Sequence, residues 1–324
     1  MSDAPASTPS PSPARPPGGD KPARPPGAET PAWLRRDAER ISGALPPLVA
    51  EAERLSASVA AGVHGRRRAG PGETFWQYRQ AMPGDPATAI DWRRSGRSDL
   101  MFIREMEWEA AQTVSLWTDM SRGMNWRSDL SPRTKRQRGA LLTLALAVLL
   151  IRGGERVSLL STEAQAPRSG ETQLSRIAMI LAGMETRPEA EEDFGAPPRA
   201  PMMRGGKAVF FSDFMGPRED MLAALRHAAD RGVSGACMQI VDPAEEAFPF
   251  DGRLVLTSVG GSVAFETHRA RSLQDAYRRK LAERRDEIAA ACRAAGWRFE
   301  IHRTSESPRK ALLWLYGAIS GTMR

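Results

Sequence analysis

The chain has 324 residues, 41% hydrophobic and 26% charged, a composition that supports a sizeable core and is long enough for about two domains. Its net charge of +7 leaves nucleic acid, anionic surfaces and acidic proteins open as partners and says nothing of fold. Two cysteines without CxxC spacing and four scattered histidines exclude a disulfide framework and an ordinary zinc motif, so Cys237 and Cys292 read as free buried thiols of a reducing compartment.

Residues 1–31 hold 10 of the 25 prolines and read as a disordered tail, with no apolar run of a secretory signal. Residues 32–104 read as a separate N-terminal module. Ile41, Leu45, Leu48, Val49, Ala52, Leu55 and Val59 fall mostly at helix-face spacing, interrupted by Pro46-Pro47, which separates a first short helix from a second one. Residues 64–104 carry eight arginines against four acids. Two short strands are predicted there, near 74–79 and 100–108, joined by a tight loop, with Trp92 as a core plug. The Arg66-Arg67-Arg68 run reads as a solvated loop.

Residues 105–324 alternate strand and helix. Strands are predicted at 111–118, 155–161, 207–213, 235–241 and 297–302, with helices at 133–152, 172–185, 218–231, 269–295 and 308–320. A β-rich piece is predicted at 253–266. This alternation predicts an α/β domain with a mostly parallel sheet and helices on both faces. The longest apolar run, Ala140 to Ile151, falls short of the roughly 20 residues of a membrane span. It reads as a buried helix, and the chain as cytoplasmic with no membrane span. The Pro-, Gly- and acid-rich loop 186–206 is expected to be mobile, and nothing in its position requires it to sit near Asp119.

In a parallel sheet the carboxyl ends of the strands share one edge, where ligands bind. The first strand delivers Asp119 and Ser121 to that edge, and the third delivers Ser212-Asp213. Ser169-Gly170-Glu171-Thr172 opens the intervening helix. Asp119, Ser121, Thr172 and Asp213 together form a set of hard oxygen ligands suited to Mg²⁺. The alternative is plain strand ends whose Asp, Ser and Thr cap helices.

Asp119-x-Ser121, then Gly170-x-Thr172, then Ser212-Asp213 resembles the metal-ion-dependent adhesion site of von Willebrand factor A domains. The usual first motif is Asp-x-Ser-x-Ser; here Gly123 stands in the last position, so the resemblance implies a degenerate Mg²⁺ site lacking one hydroxyl. Upstream, Gly72-Glu73, Phe75, Tyr78-Arg79, Pro83-Gly84-Asp85, Ile90-Asp91-Trp92, Ser95, Arg97 and Glu107 resemble the signature of the domain of unknown function 58 family. Pro86 and Thr88 depart from that family's usual Asp and Arg. The family is bacterial and sets this signature directly before a von Willebrand factor A-like (Rossmann-like) domain. Its members are commonly encoded beside MoxR-type AAA+ ATPases, which implies such an ATPase as partner.

The residues themselves show no Ser or Cys nucleophile motif with His, no Walker loop and no HExxH. The expectation is a non-catalytic protein-interaction module in which a partner's acidic side chain completes the metal's coordination. The alternative is a basic anion- or nucleic-acid-binding protein using Arg66 to Arg68, Arg93, Arg94 and the arginines of 269–295. No stacking motif supports it, so nucleic acid is not expected. A metal-dependent hydrolase at the same edge would need a general base that the sequence does not place there.

Overall fold

Residues 47–60, 75–98, 100–106, 111–161, 166–186, 193–259 and 264–321 are described by the structure, a computed structural model. The predicted tail, the first short helix, the Arg66-Arg67-Arg68 run and Glu107 lie outside the described residues. The described chain opens with α1 (47–60). There follow β1 (Phe75–Gln80), α2 (Trp92–Ser95), β2 (Phe102–Met106), β3 (Thr113–Thr118), α3 (Lys135–Arg152), β4 (Arg156–Leu159) and α4 (Glu171–Thr186). Then come β5 (Lys207–Ser212), α5 (Arg218–Asp230), β6 (Ser234–Val241), α6 (Pro243–Ala247), β7 (Leu254–Thr257) and β8 (Ala264–Thr267). The chain closes with α7 (Gln274–Ala294), β9 (Arg298–Arg303) and α8 (Pro308–Ser320).

Five parallel strands in the order β4-β3-β5-β6-β9 form the central sheet. Val157 of β4 makes an antiparallel bridge to Arg168 on its outer side. Strands of a parallel sheet are buried on both faces and therefore read as unbroken apolar runs. In β5, Val209 and Phe211 join one core, while Ala208 and Phe210 join the other. Helices α1, α3, α4 and α8 cover the first face, and α5 and α7 the second. This is the mostly parallel α/β arrangement with helices on both faces expected from the sequence.

The run Ala140 to Leu150 is buried all round within α3, as its lack of a polar face requires. On α1, Leu48, Ala52, Leu55 and Val59 pack into the same core, and Ser56 Oγ donates to the Ala145 carbonyl at 2.7 Å. Among the described residues no helix is long and apolar enough to cross a membrane.

Two local expectations are corrected. The connection between the antiparallel strands β1 and β2 is not a tight loop, because residues 81–101 fold into a 3-10 turn (Ala87–Ala89) and α2. Asp85 anchors the first turn by accepting two 2.7 Å bonds from Arg79 and one from the Met82 amide. Asp91 then caps α2, accepting from the Arg94 amide at 2.9 Å. Trp92 is not a core plug. It occupies the first helical position after that cap and is 61% exposed.

Candidate functional site at the strand ends

Three neighbouring strands each release an aspartate at the carboxyl edge: Asp119 after β3, Asp213 after β5 and Asp242 after β6. All three are buried. Asp119 Oδ1 accepts from the Ser121 amide at 2.9 Å, and its Oδ2 accepts from Ser212 Oγ at 2.7 Å. Ser121 Oγ is buried beside the same carboxylate without a hydrogen bond of full geometry. Burial raises the Asp119 pKa above the usual carboxylate range. Hydrogen bonding from Ser212 and Ser121 opposes the shift, and nearby Asp213 adds to it.

Asp213 is held differently. Its Oδ2 accepts from Lys135 Nζ at 2.7 Å, and its Oδ1 accepts from the Met215 amide at 2.9 Å. Lys135 Nζ donates a second bond to Glu245 Oε1 at 2.6 Å, and Glu245 Oε2 accepts from the Asp242 amide at 2.9 Å. Asp242 caps α6 through the Ala244 amide and also takes both the amide and the hydroxyl of Ser128. The backbone turns sharply at this edge. Phe214 sits at φ 55, a left-handed conformation that an L side chain adopts only when its surroundings enforce it. Arg284 of α7 supplies that restraint, donating to the Phe214 and Gly216 carbonyls at 3.0 and 2.8 Å.

The structure thus places Asp119, Ser121 and Asp213 at one edge. Thr172 stands apart in character, exposed in the first turn of α4. The loop before β5, which nothing in the sequence tied to this edge, lies directly on it. The Asp193 carbonyl accepts from the Gly123 amide at 2.9 Å. A Cβ on Gly195 would come within 2.3 Å of Asp119 Oδ1, so only glycine allows the backbone to lie there.

The family described as "Protein of unknown function DUF58" matches this chain over residues 77–287. The chain belongs to the DUF58 family. An uncharacterised protein of Mycobacterium bovis is 26% identical to it over 236 residues, 70% of this chain and 73% of that one. Uncharacterised proteins from two Mycobacterium tuberculosis strains match to the same extent. Among solved structures, an aerotolerance-related membrane protein from Bacteroides fragilis aligns with a TM-score of 0.39 at 12% identity, covering 65% of this chain and all (100%) of that one. The conserved hypothetical protein BatB from Bacteroides thetaiotaomicron aligns with a TM-score of 0.38 at 13% identity, again over 65% and 100%.

Mg²⁺ is the ion that the resemblance to an adhesion site implies for this DUF58 protein, but its residues as folded do not fit one. An ammonium already contacts Asp213, both oxygens of Asp119 accept from protein donors, and the Gly195 backbone closes over Asp119. Lys135, Glu245 and Asp242 were not among the residues singled out from the sequence. One signal was available: Asp242-Pro243-Ala244-Glu245 after an apolar strand has the pattern of a capping box, which the structure shows complete.

Proposed function

We propose that this DUF58 protein is a non-catalytic protein-interaction module that works in the cytoplasm with a MoxR-type AAA+ ATPase, in a chaperone-like or assembly role. The observation that carries this reading is the surface of the β1–β2 module. Met82, Trp92 and Met101 are 67%, 61% and 53% exposed there, with Leu100 and Tyr78 exposed beside them. Large apolar side chains left exposed within one small module are a feature of contact sites, and Trp is among the residues most enriched at their energetic centres.

Arg94 lies over the Tyr78 ring at 5.2 Å and near the Phe102 ring at 5.7 Å, and Arg93 is exposed next to it. With Arg93, Arg94 and Arg97 all exposed, this segment is locally basic and favours an acidic partner surface. The choice of ATPase rests on the company that family members keep. The strand-end edge, with its carboxylates committed to protein donors, serves here as a degenerate adhesion site that shapes the domain.

The test is a binding titration of a MoxR-type ATPase from the same genome against the wild type and Trp92→Ala. The reading expects saturable binding that weakens at least about tenfold in the variant, with an unchanged melting temperature. Equal affinity for both proteins, or no binding by the wild type, would refute it.

A further inference from the structure

We propose that the Lys135 ammonium takes the place of a divalent cation at the strand-end edge, so that the domain balances the carboxylates there without Mg²⁺ or Mn²⁺. The ammonium lies 2.7 Å from Asp213 Oδ2 and 2.6 Å from Glu245 Oε1, and its side chain is only 3% exposed. An ammonium presents three donors and no acceptor, so two carboxylates can share it much as they would share a metal ion.

The second oxygen of each carboxylate is also engaged, Asp213 Oδ1 by the Met215 amide and Glu245 Oε2 by the Asp242 amide. With both Asp119 oxygens accepting as well, every oxygen of the three carboxylates already has a protein donor. A divalent ion entering here would meet a fixed positive charge a few ångströms away and would have to displace these donors.

The position of Lys135 on its helix supports the same conclusion. It stands in the first turn of α3, where the helix dipole disfavours a positive charge. Asp213 and Glu245 supply the compensating field. The inference goes beyond the interaction reading, because it concerns the isolated chain and needs no partner.

Calorimetric titration of the purified full chain with MgCl₂ and MnCl₂ decides it, alongside thermal melting with and without EDTA. No saturable binding into the millimolar range and an EDTA-indifferent melt are expected. Saturable binding, or a melt that EDTA lowers, would overturn the proposal. Lys135→Ala supplies the second arm. Its melting temperature should fall and then rise again with added Mn²⁺, while Lys135→Arg should stay indifferent to the ion. A folded Lys135→Ala that Mn²⁺ does not stabilise counts against the substitution, and if that variant fails to fold the wild-type titration alone is decisive.

Discussion

Lys135, in the first turn of α3, and Asp213, at the end of β5, form a buried ion pair 2.7 Å long that ties the core helix to the centre of the sheet. Coulombic attraction from Asp213 and Glu245 outweighs desolvation and holds the Lys135 pKa above its usual value. A raised lysine pKa contributes stability that is complete below about pH 10 and lost only as pH climbs through the raised value. Lys135→Met leaves Asp213 and Glu245 buried and uncompensated, which should cost about 3–5 kcal/mol in urea unfolding at pH 7. Adding Asp213→Asn should recover part of that loss. Strictly additive effects of the two changes would show that the pair is not coupled.

His302 in β9 should make stability fall in mild acid. Burial, with Arg138 and Arg303 nearby, pushes its pKa down to about 3. The unfolded chain takes up this proton near pH 6.5, whereas the folded chain does not until about pH 3. Between those values the unfolded state binds more protons, so stability is lost as pH falls, by up to about 1.4 kcal/mol per pH unit. His302→Phe should remove that slope. Denaturant midpoints compared at pH 4 and pH 7 test this, and an undiminished difference in the variant would assign the slope to other groups.

Asp119 acts with the opposite sign. Its pKa is raised in the fold, so between the unfolded value near 4 and the raised one the native state holds more protons and stability declines as pH rises. Asp119→Asn removes this titration and keeps an oxygen for the Ser121 amide. Its stability at pH 7 should lie within about 1 kcal/mol of the wild type or above it. A loss beyond about 2 kcal/mol would mean that the ionised carboxylate is needed at this edge.

Gly195→Ala should lift the loop from Asp119. The added methyl would fall 2.3 Å from Oδ1 and 2.7 Å from Cγ, both well inside contact distance. A cost of about 1–3 kcal/mol is expected, with faster proteolytic cleavage near residues 193–200. Wild-type stability and an unchanged cleavage rate would show that the loop accommodates the group without moving.

The elements of the central sheet were legible because parallel strands buried on two faces leave long apolar runs, while α5 keeps a 3.6-residue stripe and α3 stands out as one apolar run too long for a strand. Strands β3 and β5 and helix α8 lie within two residues of their predicted limits. The edge residues that follow apolar strands, Asp119 and Asp213, were legible for the same reason. Lys135 was not. A lysine in the first turn of a helix reads as solvated, and only the three-dimensional meeting of α3, β5 and α6 buries it. Trp92 was misread by residue type alone, although Asp91 before it and Arg93-Arg94 after it have the pattern of a capped, exposed helical turn. The loop over Asp119 left no periodic trace, since its position depends on one close backbone approach at Gly195.

The two outer strands of the central sheet have a consequence for how this protein behaves at high concentration. An unpaired strand edge is a template for other chains, and folded proteins avoid aggregation by shortening, covering or charging it. β4 has four residues, and on its outer side the Val157 and Arg168 backbones exchange bonds of 2.8 and 3.1 Å. At the opposite end β9 carries Arg298, Glu300 and Arg303 along six residues. Neither margin offers a long bare apolar ladder, so strand addition to this sheet is blocked at both ends. The short strands β7 and β8 pair with each other and, among the described residues, with no other strand; they carry one charge, Glu266, and leave Val255, Leu256 and Phe265 exposed. Self-association of the folded chain should begin at that strand pair, and a charged residue placed at Phe265 is the change that would keep concentrated solutions clear.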